Sequence, residues 1–133
     1  MDHRTSATIE QIEGVREPDP GPEATALVRR CLALRRKPLS AFTTEDFRIM
    51  LGQRAAVPIL LPPAVDVLTG DPLAEGDHYP GDLLFAVVRL PDAAWHGAAG
   101  HRDRLAEVLR ATKLPGEDIH PDLRRAVTAF LGS

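Results

Sequence analysis

The chain has 133 residues, 44% hydrophobic and 26% charged, with a net charge of −3 at neutral pH and a single cysteine, Cys31. That size suits one domain with a real hydrophobic core, and one cysteine excludes an internal disulfide framework or a cysteine-rich zinc site. The negative balance argues against general affinity for nucleic-acid backbones, and no apolar run approaches the ~18 residues that would span a bilayer.

Residues 1–21 end in REPDPGP and are expected to form a flexible or docked N-terminal arm, partly extended. Within the arm, TIEQIEG places Ile9 and Ile12 three apart, which suits one short element resting on the body. The N-terminal stretch lacks the 7–15 apolar residues of a secretory signal, so a soluble cytoplasmic protein is expected. Residues 22–133 are then expected to form a single helical domain. Pro22 suits a first helical turn, and Ala24, Leu27, Val28, Cys31 and Leu34 follow at helical spacing as one apolar face, with Cys31 in the core. Pro38 stops this helix near Arg36.

Thr43 is a good N-cap for the next helix, with Glu45 and Asp46 in its first turn, Phe47, Met50 and Leu51 on its buried face, and Gly52 as a stop. AAVPILLPPAVDVLTG is almost wholly apolar, so its helix is expected to be the most buried. Because a proline inside a helix costs about 3 kcal/mol, the prediction is a short turn at 58–61 and a helix only from Pro62 or Pro63 to Leu68. Pro80 or Asp82 opens a helix carrying Leu83, Leu84, Val87 and Val88, and Pro91 ends it. A turn near Ala94 and Trp95 precedes a helix with Leu105, Val108 and Leu109 buried, and a last helix from about Pro121 carries Leu123, Val127, Phe130 and Leu131. The fold class is therefore all-α, a bundle of about six short helices with Pro/Gly-rich loops and no alternating strands.

Two segments carry unusual charge. RRCLALRRK holds five cations in nine residues and forms a basic stripe, read first as a solvated face and second as a partner for an acidic loop. DPLAEGDHYPGD, residues 71–82, holds Asp71, Glu75, Asp77 and Asp82 with His78 and Tyr79. As a calcium loop it fails at Leu73, which cannot ligate, and two prolines stiffen it. His78 has no histidine partner at helical spacing, so no metal ligand set and no cofactor is assigned. The segment is not flanked by a nucleophile elbow, a phosphate loop or a Ser/His/Asp signature, so no catalytic residue is assigned and the chain is expected not to be an enzyme. Asp71 and Asp82 suit caps or turns. Caps do not account for Glu75, Asp77, His78 and Tyr79 together.

LRRKPLSAFTTEDFRIMLGQ, VPILLPPAVDVL and DPLAEGDHYPGDLLFAVVRLP, followed by Trp95, resemble in strict order the immunity proteins of contact-dependent growth inhibition. Leu39, Thr43, Glu45, Asp46, Arg48, Gly52 and Gln53 stand at the family's positions in the first block, and Asp71 to Asp82 carry the second. The family usually shows a hydrophobic residue where Pro63 stands and an aromatic where His78 stands. The resemblance implies a small cytoplasmic protein that binds the toxic domain of a cognate effector, often a nuclease, and neutralises it stoichiometrically. On that reading the toxin-binding residues are Glu75, Asp77, His78 and Tyr79, with Asp71 and Asp82 mainly structural, and neither nucleic acid nor membrane is a partner. The alternative is a small metal-binding or metal-dependent module using the acids of 71–82.

Overall fold

Three threonines start the first three helices. Thr8, Thr25 and Thr43 are extended in backbone, and each side chain accepts the N–H of the residue three further on. At Thr43 the exchange is reciprocal, since Asp46 Oδ2 accepts the Thr43 N–H at 3.0 Å while Thr43 Oγ1 accepts the Asp46 N–H at 3.1 Å. The computed structural model describes residues 6–112 and 119–132. Its helices are α1 (Ile9–Glu13), α2 (Ala26–Arg35), α3 (Thr44–Gly52), α4 (Val57–Gly70), α5 (Asp82–Val88), α6 (Ala99–Ala111) and α7 (Pro121–Leu131). Single 3₁₀ turns lie at Leu39–Ala41 and Asp92–Trp95, and the described residues contain no strand, only one isolated bridge between Glu75 and Pro80. The architecture is all-α, as the periodicity predicts. No helix among the described residues is long and apolar enough to cross a membrane.

The central helix departs from the expectation. α4 runs unbroken for 14 residues with Pro58 in its first turn and Pro62 and Pro63 inside it. Two prolines remove two rungs of the i→i−4 ladder. Burial offsets that cost, because Leu60, Leu61, Pro63, Ala64, Val65 and Leu68 are all enclosed and each fully buried leucine contributes about 1.5–3 kcal/mol. α4 packs against α3, α5 and α6, and α3 and α5 pack against each other. Pro63 is itself a buried residue of this helix.

The second helix departs too. It starts at Ala26, not Pro22, because the Thr25 side chain supplies a cap and residues 21–24 form a turn. Of its apolar face only Leu34 is buried, while Leu27 and Val28 are 42% and 51% exposed and Cys31 is half-buried. Leu27, Val28 and Cys31 lie instead along an open groove of about 440 Å³ that Pro18, Pro20 and Met50 also line. Ile12 is likewise exposed, although Ile9 is buried.

The cations of the basic stripe are paired within the chain, although Arg29 and Arg30 also remain exposed. Lys37 and Arg30 converge on the buried Asp46 at 2.6 and 3.3 Å. Arg35 pairs with Glu13 at 2.6 Å, and Arg36 with Glu10 at 3.3 Å and Asp19 at 2.9 Å. Arg29 donates to the carbonyls of Gly21, Pro22 and Ala24. Arg29, Arg35 and Arg36 thus hold the N-terminal segment, while Arg30 and Lys37 tie the same stretch to α3. At the other end Trp95 is core, tilted on Phe130 with ring centroids 5.6 Å apart, and Arg102 lies over both rings. Leu105 and Leu109 are buried on α6, and Leu123, Val127 and Phe130 on α7, while Val108 and Leu131 are only partly covered.

Candidate functional site

The acidic segment joins α4 to α5 by a tight excursion. The Asp71 N–H closes α4 on the Val67 carbonyl, and the Asp71 carbonyl accepts the Ala74 N–H. Glu75 and Pro80 face each other in the isolated bridge, the Gly81 N–H returns to the Leu73 carbonyl at 3.1 Å, and the Asp82 N–H donates to the Tyr79 carbonyl at 3.0 Å. Residues 76–79 form the tip.

Two carboxylates grip this tip from inside. Asp82, the first residue of α5, accepts the Gly76 N–H at 2.7 Å through Oδ1 and the His78 N–H at 3.0 Å through Oδ2. Glu45, in the first turn of α3, accepts the intervening Asp77 N–H at 2.8 Å. Three successive amides are therefore bound by two acids that are 3% and 8% exposed. Charge-assisted bonds of this kind are about twice as strong as neutral ones.

Burying two carboxylates side by side requires a counter-charge, and Arg48 supplies it. Its guanidinium is bidentate to Glu45 at 2.6 and 2.5 Å, with Nε 3.7 Å from Asp82 Oδ2. The Arg48 hydrogen bond holds the Glu45 carboxyl below its ordinary value against the opposing effect of burial, and the Glu45 bond raises Arg48 in turn.

Both glycines of the segment are explained by this packing. A Cβ on Gly76 would sit 2.4 Å from Glu45 Oε1 and 3.0 Å from Asp82 Oδ2. Gly81 takes a left-handed φ of 91°, and a Cβ there would meet Leu123 Cδ2 at 2.5 Å. A side chain at Gly76 would collide with the carboxylates that anchor the tip, and one at Gly81 would be strained in backbone and crowd Leu123.

The six residues singled out from sequence separate into three environments. Glu75, Asp77 and His78 are exposed on the excursion, and Tyr79 beside them is half-buried. Asp71 is exposed at the α4 end of the segment, and Asp82 is buried beneath the tip. Burial, followed by the nearby Asp82 charge, pushes the Tyr79 hydroxyl above its ordinary value. The Tyr79 ring stacks on His120 with centroids 5.5 Å apart and planes 28° apart.

Sequence reasoning placed Glu45 as a first-turn acid and missed its hold on the loop. The i,i+3 spacing of Glu45 and Arg48 and a glycine amid acids were the available signals. His120 left no signal, being more than 40 residues from Tyr79 in sequence. Among the described residues no group of three or more His, Cys, Asp or Glu side chains is placed to share a metal ion.

No curated protein matches the chain. A profile of the family described as CDI immunity proteins matches residues 11–105, which takes in α2 to α5 and the whole of 71–82. Most of the chain is covered, from within α1 to Leu105 in α6, and the chain therefore belongs to the immunity proteins of contact-dependent growth inhibition, proteins that neutralise a cognate toxin.

Proposed function

We propose that this immunity protein neutralises a nuclease-type toxin domain by direct stoichiometric binding, with no cofactor and no chemistry of its own, and that the tip of 71–82 enters or covers the toxin's basic substrate cleft. The supporting observation is that the backbone of 76–78 is bound from within by Glu45 and Asp82, while Glu75, Asp77 and His78 are exposed. A loop held in this way loses little conformational entropy on association, and preorganisation of that kind raises affinity. Nucleases carry cations that hold phosphates. Carboxylates presented to such a cleft steer encounter and occupy the place of the substrate.

In this reading Glu75, Asp77, His78 and Tyr79 contact the toxin. Asp82 acts beneath them as a positioning residue, and Asp71 extends the negative face at the loop's entry. Neither nucleic acid nor membrane takes part on the immunity protein's side, and the complex forms in the cytoplasm, where the toxin's substrate lies. Replacing Glu75 and Asp77 by lysine tests it. Co-expressed with the toxin encoded beside its gene, the double variant is expected to lose protection, and its affinity is expected to fall by about 10- to 100-fold with a flatter salt dependence. Unchanged affinity and salt dependence would show that the loop is scaffold and that another surface binds.

A further inference from the structure

The family match stops at Leu105, but the surface around the loop tip does not. Tyr79 stacks on His120 at 5.5 Å, and Gly81 lies so close to Leu123 that no Cβ fits between them. His120, at the start of α7, therefore adjoins the loop at the surface through Tyr79, while the buried Gly81–Leu123 contact packs the end of the loop on α7 beneath it. His120 is fixed there twice, by the stacked ring and by its role as N-cap, in which Nδ1 accepts the Asp122 N–H at 3.1 Å. An accepting Nδ1 leaves the ring proton on Nε2, so the second nitrogen is a donor. The side chain remains 50% exposed.

We infer that the first turn of α7 is part of the toxin interface, with His120 contacting the toxin directly and receiving an arginine side chain of the partner. This inference rests on the preceding reading of the loop tip as the binding site. A flat ring ordered before binding, stacked on Tyr79 of the loop that carries the exposed carboxylates of Glu75 and Asp77, suits a guanidinium, which stacks on planar rings and pairs with carboxylates. The ring is already ordered, so little side-chain entropy is lost when it is covered. Because α7 lies outside the segment that defines the family, His120 also gives this chain a means of discriminating its own toxin from those of other members.

The test is a calorimetric titration of the full chain with the purified toxin domain encoded beside its gene, using His120→Asn. Asparagine is a strong N-cap, so the variant keeps the α7 start while losing the ring. The expected result is an affinity about tenfold weaker with an unchanged thermal midpoint. Wild-type affinity in His120→Asn, alongside weakened binding by the Glu75/Asp77 lysine variant, would overturn this inference and leave the loop reading standing. Wild-type affinity in both would overturn the two together. Should His120→Asn lower the thermal midpoint, hydrogen exchange on the unmodified chain decides. Toxin-dependent protection of the Asp122 to Arg125 amides supports the contact, and its absence overturns it.

Discussion

Replacing Asp82 by asparagine isolates the electrostatic part of the loop anchor, since shape and volume hardly change. In the native chain each carboxylate oxygen takes one amide, Gly76 at 2.7 Å and His78 at 3.0 Å. Asparagine can offer its carbonyl to only one of them, and its NH₂ then confronts the other donor. One hydrogen bond to a charged group is lost outright, worth about 1.5–3 kcal/mol, and the second is weakened to a neutral bond. Arg48 also loses one of the two acids it balances. The expected cost is about 3 kcal/mol, which for a chain of this size lowers the thermal midpoint by roughly 10 °C. Urea and thermal unfolding followed by circular dichroism measure it, with hydrogen exchange at residues 76–78 reporting the loop itself. A loss below about 1 kcal/mol, with those amides exchanging at the native rate, would refute the account of Asp82 as the loop's anchor.

Two further outcomes follow from the same contacts. Glu45 and Asp46 both titrate below their ordinary values of 4.5 and 3.8; the Arg48 bond leads for Glu45, while for Asp46 burial acts upward and is outweighed by Lys37, the Thr43 amide and Arg30. Depressed carboxylates add stability that is complete above their unfolded values and is lost as pH falls through the folded ones. The thermal midpoint should therefore decline below about pH 4.5, starting near the ordinary glutamate value, and Glu45→Gln should flatten that decline; parallel profiles would reject the assignment. On α2, Leu34→Ala should cost about 2–4 kcal/mol and Val28→Ala under about 1 kcal/mol, as chemical denaturation would measure, because one side chain is enclosed and the other borders the open groove. Equal losses would mean that the groove is closed in solution.

Local chemistry made most of the helices readable. The Thr43 cap and its reciprocal Asp46, the 3–4 spacing of Leu123, Val127 and Phe130, and Pro91 after Val88 each act within a few residues, where sequence order is also spatial order. The same local reasoning failed at α4, where the propeller of the decision was burial: Pro62 and Pro63 oppose the helix locally, and contacts with α3, α5 and α6 outweigh them. It failed on α2 because an apolar stripe shows that a face can be buried, not that a neighbour reaches it.

The candidate site divides in the same way. Composition alone determined that 71–82 is a stiff, acidic connection between two apolar helices, and the order of its residues identified the family resemblance. Only tertiary structure decided which acids face inward. Asp82 and Asp77 are both aspartates in one short loop, yet one is buried under three polar contacts and the other is exposed. Glu45 and Arg48 on α3 hold the inward side of the loop, and Leu123 on α7 and its N-cap His120 meet Gly81 and Tyr79, groups distant in sequence that reach the loop only after the helices have packed. A carboxylate's role depends on which donors surround it, and packing, not sequence position, brings those donors together.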